Sequence, residues 1–272
     1  MTATSLQAQP GWKVEKDIFY LPIPIEQATA YQQKQNRLDF RYKEGAKDFA
    51  TVVWLHGGGL TGGKRERPSI YGRYEIASVE VDYGLIPDVS YEQCLDDAAA
   101  AVAWAFANVK KYGGDPSKIY LAGYSAGGYL SAMVGLDKKW LAKYAIDANQ
   151  LAGFVAFSGQ MTTHFRVRSE QGHTGDRLVL NEFAPLWHVR KDASPFLIVT
   201  GDRRMEKSGR VEENMLLFRL LVNAGHPDVS IYEIQGYDHS MTRPGYDVMG
   251  RWLHDRIFTD AKRVWLPAPQ SK

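Results

Sequence analysis

"IYLAGYSAGGYLSAM", Ile119 to Met133, opens as an apolar run with the pattern of a strand and closes as a helix-forming run, with Ser125 at the junction. Gly123, Ala126, Gly127 and Gly128 surround that serine with small side chains. A junction of this kind suits a sharp, strained turn that lifts one serine above a sheet edge, because any larger flanking residue would collide with the backbone. The pattern G-x-S-x-G is common by chance, since both residue types are abundant, so its weight comes from its position between a strand and a helix. The plainer alternative is a glycine-rich turn that binds phosphate at a helix N-terminus. Neither a dinucleotide-binding nor a P-loop pattern runs through Ser125.

Working outward, the rest of the chain has the composition of an ordinary globular protein, with 272 residues, 44% hydrophobic and 24% charged. One domain over 1–272 is expected, with 1–16 as a flexible N-terminal segment. Lys and Arg total 33 against 31 Asp and Glu, a net charge of +2. That balance gives no electrostatic case for nucleic acid or an anionic membrane, so the expected partner is a smaller molecule. Cys94 is the only cysteine, which excludes an internal disulfide framework and a multi-cysteine zinc site. No apolar run approaches the roughly 20 residues that span a bilayer. The opening "TATSLQAQPGW" reads equally as the tail of an export signal or as a plain flexible start, so periplasmic or secreted and cytoplasmic locations are both open.

Asp17 to Pro22 and Arg37 to Lys43 alternate apolar and polar residues and are expected to pair as an antiparallel edge. Six further runs are mostly apolar and end in turn residues: Thr51 to His56, Ile76 to Asp82, Lys118 to Gly123, Leu151 to Gly159, Pro195 to Gly201 and Val229 to Gly236. Such strands are buried on both faces. Helices are expected over Tyr91 to Tyr112, entered through a Ser90/Gln93 capping box and ended by Gly113 and Gly114, and over Arg210 to Asn223 and Gly245 to Phe258. The alternation predicts a doubly wound α/β fold with a mostly parallel sheet of about eight strands and helices on both faces. Met161 to Arg177 lacks a clear period and reads as a polar excursion over the surface.

Three further features supply what a reactive serine needs. "HGGG", His56 to Gly59, follows the strand that begins at Thr51. Backbone N–H groups of Gly58, Gly59 and Ala126 are the candidate donors for an oxyanion, with His56 orienting the loop. Of seven histidines, His239 in "GYDHSM" follows the last strand and precedes the last helix, which brings it to the same sheet edge as Ser125. The acid should lie between serine and histidine in the chain, after a strand, and "PFLIVTGDRRMEKSGR" offers Asp202 and Glu206. Asp202 is preferred because it stands nearer the strand end; Glu206 is the alternative, and Asp238 reads as a turn residue. No metal or organic cofactor is required. The basic run Lys64, Arg65 and Arg67 would suit an acidic sugar but reads first as a solvated face.

"HGGG" followed by "GYSAGG" resembles the hormone-sensitive-lipase-like branch of the α/β-hydrolase superfamily, which includes carboxylesterases and bifunctional feruloyl and acetyl xylan esterases. "VDYGLIP" (Val81 to Pro87), "GGDPSKIYLAGYSAGG" and "GYDHSM" extend the likeness from about Trp54 onward. The resemblance implies a serine esterase acting through an acyl-enzyme on short or aromatic acyl esters, acetyl or feruloyl esters on carbohydrate among them. The alternatives are an amide hydrolase of the same fold, such as an arylformamidase or peptidase, and a binding protein without turnover. Two departures stand out. The family's usual carboxylate position, three residues after the glycine ending the acid strand, holds Arg204, which leaves Asp202 and Glu206 both open, and the chain has little room for a helical cap.

Overall fold

All seven residues of β3 (Phe49–Leu55) are buried, as expected for a strand covered on both faces. The computed structural model describes residues 11–66, 68, 75–173 and 177–258. Around β3 lie β4 (Ala77–Asp82), β5 (Gly114–Tyr124), β6 (Gly153–Phe157), β7 (Phe196–Gly201) and β8 (Val229–Ile234), with β1 (Trp12–Phe19) and β2 (Arg37–Lys43) at one edge. The sheet order is β1-β2-β4-β3-β5-β6-β7-β8. β3 to β8 run parallel, and β1 and β2 are antiparallel.

Period-two alternation divides the core. Val53, Leu55, Leu121, Phe196 and Ile198 pack with α2 (Tyr91–Asn108), α3 (Ala126–Leu136) and α6 (Arg210–Asn223). Their neighbours Val52, Trp54, Ala122, Leu197 and Val199 pack with Met249, Trp252 and Leu253 of α7 (Thr242–Phe258). Strand order reverses at β3, which has β4 on one side and β5 on the other. Leu55 is in register with Gly123, so the loops leaving β3 and β5 emerge side by side, where α/β sheets of this kind bind ligands.

Several local expectations shift. The first strand is Trp12–Phe19 rather than Asp17 to Pro22, with a register break between Glu15 and Ile18, so the expected flexible segment 1–16 is paired strand from Trp12 onward, held by its ladder to Arg37–Lys43; Pro22 and Pro24 lie beyond the strand's end, where no N–H is needed for a ladder. Ser90 caps α2 by accepting from Gln93 N–H, but the Gln93 side chain donates to Asp97 instead of returning to Ser90, so only half of the capping box forms. After α2, a 3-10 turn over Val109–Tyr112 closes at Gly113, whose φ of 95° suits glycine. The stretch from Met161 is no plain surface excursion: Met161, Thr162, Thr163 and His164 are buried, and the short α5 (Phe165–Glu170) follows. Residues 174–176 of it, Arg67 of the basic run and the first ten residues of the N-terminal segment lie outside the described residues.

Candidate active site

Ser125 occupies the single residue between β5 and α3, at φ 54° and ψ −110°. A non-glycine residue at that φ carries strain, which persists only where surroundings enforce it. Here Ser125 N–H donates to Phe157 O at 2.7 Å. The flanking glycines are sterically obligatory. A Cβ on Gly123 would lie 2.2 Å from Gly127 O, and one on Gly127 would lie 2.1 Å from Leu55 O. The turn is therefore pressed against the end of β3, which brings the "HGGG" loop to the serine.

That loop is braced from outside. Tyr83, at the end of β4, stacks on the His56 ring at 4.3 Å and donates its hydroxyl proton to His56 O at 2.7 Å. Ile86 N–H donates to Leu60 O at 2.8 Å, tying the "VDYGLIP" segment to the same loop. His56 Nδ1 lies 2.6 Å from Gly57 O, which requires a proton on Nδ1. Burial pushes the His56 pKa down to about 4, so the ring is neutral. Gly58 and Gly59 take φ values of 119° and 64°. The Phe165 ring of α5 covers Gly59 so closely that a Cβ there would lie 3.2 Å from it.

His239 comes from the loop between β8 and α7. Its Nε2 lies 2.9 Å from Ser125 Oγ and its Nδ1 lies 2.7 Å from Glu206 Oε1. With Nδ1 protonated toward the carboxylate, Nε2 is left to accept from the serine hydroxyl. Tyr124 anchors the loop by donating its hydroxyl proton to His239 O at 2.9 Å.

The preferred acid, Asp202, is not at the imidazole. Its carboxylate accepts from Gly236 N–H at 2.9 Å and from the Arg204 guanidinium, while its own N–H donates to Tyr237 O. The hydrogen bonds from Arg204 and Gly236 hold its pKa well below the usual carboxylate range. Asp202 thus clamps the acid loop to the histidine loop. Glu206 N–H bonds back to Asp202 O at 2.8 Å, and this turn returns Glu206 over the strand end toward His239. The Glu206 side chain is wholly inaccessible and accepts from Lys207 N–H at 2.8 Å, Ser158 Oγ at 2.7 Å and Gly201 N–H at 3.2 Å in addition to His239. Burial alone would raise its pKa; the bonds from His239, Lys207 and Ser158 outweigh it and hold the value at about 2.

Arg65 does not face an open site. It meets Asp17, Asp39 and Asp82 at 2.9, 3.4 and 3.2 Å, which spends its charge on the antiparallel edge. Lys64 is exposed. Asp238 accepts from Ser240, as a turn residue does. Sequence reasoning missed Tyr83, Tyr124 and Ser158. The signal for Ser158 was a hydroxyl ending the otherwise apolar run "FVAF", on the strand between those of Ser125 and Glu206.

Among proteins of known sequence, the chain is 29% identical over 169 residues to Esterase LipC of Mycobacterium tuberculosis, across 56% of this chain and 42% of LipC. It thus spans less than half the length of that relative. A truncated carbohydrate esterase from gut microbiota superposes with a TM-score of 0.73 at 16% identity, covering 92% of this chain and 98% of the other. Propionate-bound esterase Est2 of Thermogutta terrifontis superposes with a TM-score of 0.66 at 19% identity, covering 90% and 93%. These two share the α/β-hydrolase fold seen here. Residues 38–206 match the BD-FAE family. The chain belongs to the BD-FAE family of the α/β-hydrolase superfamily.

Proposed function

We propose that this chain is a carboxylic ester hydrolase with Ser125 as nucleophile, His239 as base and Glu206 as acid. The observation that carries the reading is the unbroken run of short contacts from Glu206 through His239 to Ser125, which ends on a strained strand-to-helix turn. Ser125 Oγ attacks the acyl carbon while His239 Nε2 takes its proton. The resulting oxyanion is held by the N–H groups of Gly58, Gly59 and Ala126; as the first residue of α3, Ala126 has an N–H without an intrahelical partner. His239 returns the proton to the leaving alcohol oxygen, and an acyl-Ser125 ester remains. Water then attacks that ester with His239 again as base, releasing the carboxylic acid and restoring the hydroxyl. Glu206 stays ionised throughout and stabilises the imidazolium.

Short acyl groups on carbohydrate, or feruloyl groups, are the proposed substrates. The family match, the fold shared with a carbohydrate esterase and the fold shared with a propionate-bound esterase support this choice. The test is covalent labelling followed by turnover. An organophosphate should add its mass to the peptide containing Ser125, and Ser125→Ala should abolish hydrolysis of p-nitrophenyl acetate while leaving the fold intact. Labelling at another serine, or an active variant, would overturn the reading. Rates on acetylated xylan, feruloyl esters, N-formylkynurenine and short peptides then rank ester against amide.

A further inference from the structure

Ser158 directly follows β6, which lies in the sheet between the strand leading to Ser125 and the strand leading to Glu206. Its side chain is fully buried, and no step of the hydrolysis described above uses it. The hydroxyl nevertheless touches both supporting members of the site: Oγ lies 2.7 Å from Glu206 Oε2 and 3.1 Å from His239 Nδ1. Because Nδ1 carries a proton, it faces two acceptors, Glu206 Oε1 and Ser158 Oγ, and the serine proton is free to go to Oε2. The three groups close a small ring of hydrogen bonds.

The backbone enforces that placement. Ser158 has φ 44°, in the left-handed region where a side chain is strained and glycine is not. Ser158 N–H donates to Val199 O at 2.7 Å, and the buried Arg210 guanidinium donates to Ser158 O. A serine held in a conformation better suited to glycine is explained by what its hydroxyl does. We propose that Ser158 is a positioning residue, whose hydroxyl fixes the Glu206 carboxylate against His239 and so aims Nε2 at Ser125. This proposal rests on the reading of Ser125, His239 and Glu206 as a triad.

Removing the hydroxyl takes a donor from Oε2 and makes the carboxylate more basic. A more basic carboxylate stabilises the imidazolium, so the acid limb of the kcat/KM profile moves to higher pH. Among the described residues, Arg210 of α6, Tyr124 at the end of β5, Asp238 beside His239 and Lys207 beside Glu206 are charged or titratable groups next to Glu206 or His239, and the substitutions leave all four in place.

The experiment compares Ser158→Ala and Ser158→Gly on p-nitrophenyl acetate between pH 5 and 9, with Ser125→Ala in parallel. Glycine removes the hydroxyl and relieves the backbone strain together, so that variant folds even where the alanine variant does not. Both should lose about tenfold in kcat, the scale of one hydrogen bond to a charged group, with KM changed by less than about twofold. The acid limb should move to higher pH. Wild-type kcat and pH profile in Ser158→Gly, or a raised KM at unchanged kcat, would overturn the proposal. An active Ser125→Ala would instead overturn the triad itself, and the Ser158 role with it.

Discussion

Glu206 Oε1 stands 2.7 Å from His239 Nδ1, while Asp202, four residues earlier, turns its carboxylate to Arg204 and to Gly236 N–H. The two acids of one loop therefore do different work. Glu206→Gln should lower kcat on aryl acetates by roughly ten-thousand-fold, the loss seen when a triad acid becomes an amide and the histidine takes the wrong tautomer. Asp202→Asn should keep kcat within a few fold and lower the melting temperature, because it weakens the clamp between the acid and histidine loops. Steady-state kinetics and thermal unfolding of the two variants separate these roles; a dead Asp202→Asn beside an active Glu206→Gln would reverse the assignment.

The turn at Ser125 makes a steric prediction. A Cβ on Gly127 would lie 2.1 Å from Leu55 O and 2.6 Å from His56 O, and both are backbone atoms with no flexible end to move. Gly127→Ala should cost about 3 kcal/mol or more, at the upper end of what overpacking does, and should displace the "HGGG" loop. Gly236 makes the control. It has φ 78° with nothing within 4 Å of a built Cβ, so Gly236→Ala should cost only about 1 kcal/mol from the left-handed backbone. Urea denaturation of both variants checks the difference.

Acid stability follows from two buried imidazoles. Burial lowers the pKa of His56 from 6.5 to about 4 and lowers that of His164 well below 6.5, with neighbouring cations, Arg210 foremost, adding to the second shift. Between pH 6.5 and 4 the unfolded chain binds a proton on His56 that the folded imidazole does not, and His164 behaves in the same direction below pH 6.5, so a penalty on the folded state that is absent above pH 6.5 grows as pH falls. His56 contributes a slope of up to about 1.4 kcal/mol per pH unit in its window. Glu206 has the depressed carboxylate pattern: its contribution is present above pH 4.5 and disappears toward pH 2. Urea midpoints should therefore drop between pH 6.5 and 5, before the carboxylates titrate; a flat profile there would show that the imidazoles stay accessible.

What could be read from residues in order was what local chemistry dictates. The strand Arg37–Lys43 and the helix Arg210–Asn223 keep their expected boundaries, because period-two alternation and a helical apolar face are local signals. The place of Ser125 between strand and helix was legible for the same reason: the small residues that its turn demands are its neighbours in sequence. The parallel sheet followed from runs apolar on both faces.

The choice of acid was not local. Asp202 lies nearer the strand end, but a turn of four residues folds Glu206 back over Gly201, and only the meeting of that loop with the one after β8 shows which carboxylate reaches His239. Ser158 lies 48 residues from Glu206 and 81 from His239, and Arg65 finds its aspartates 17 to 48 residues away. The sequence by itself determined which side chains stand at strand ends, because that depends on periodicity and turn chemistry. Tertiary structure alone decided which of those ends face one another, since hydrogen bonds between loops depend on strand order and register, and these are set by packing across the whole sheet.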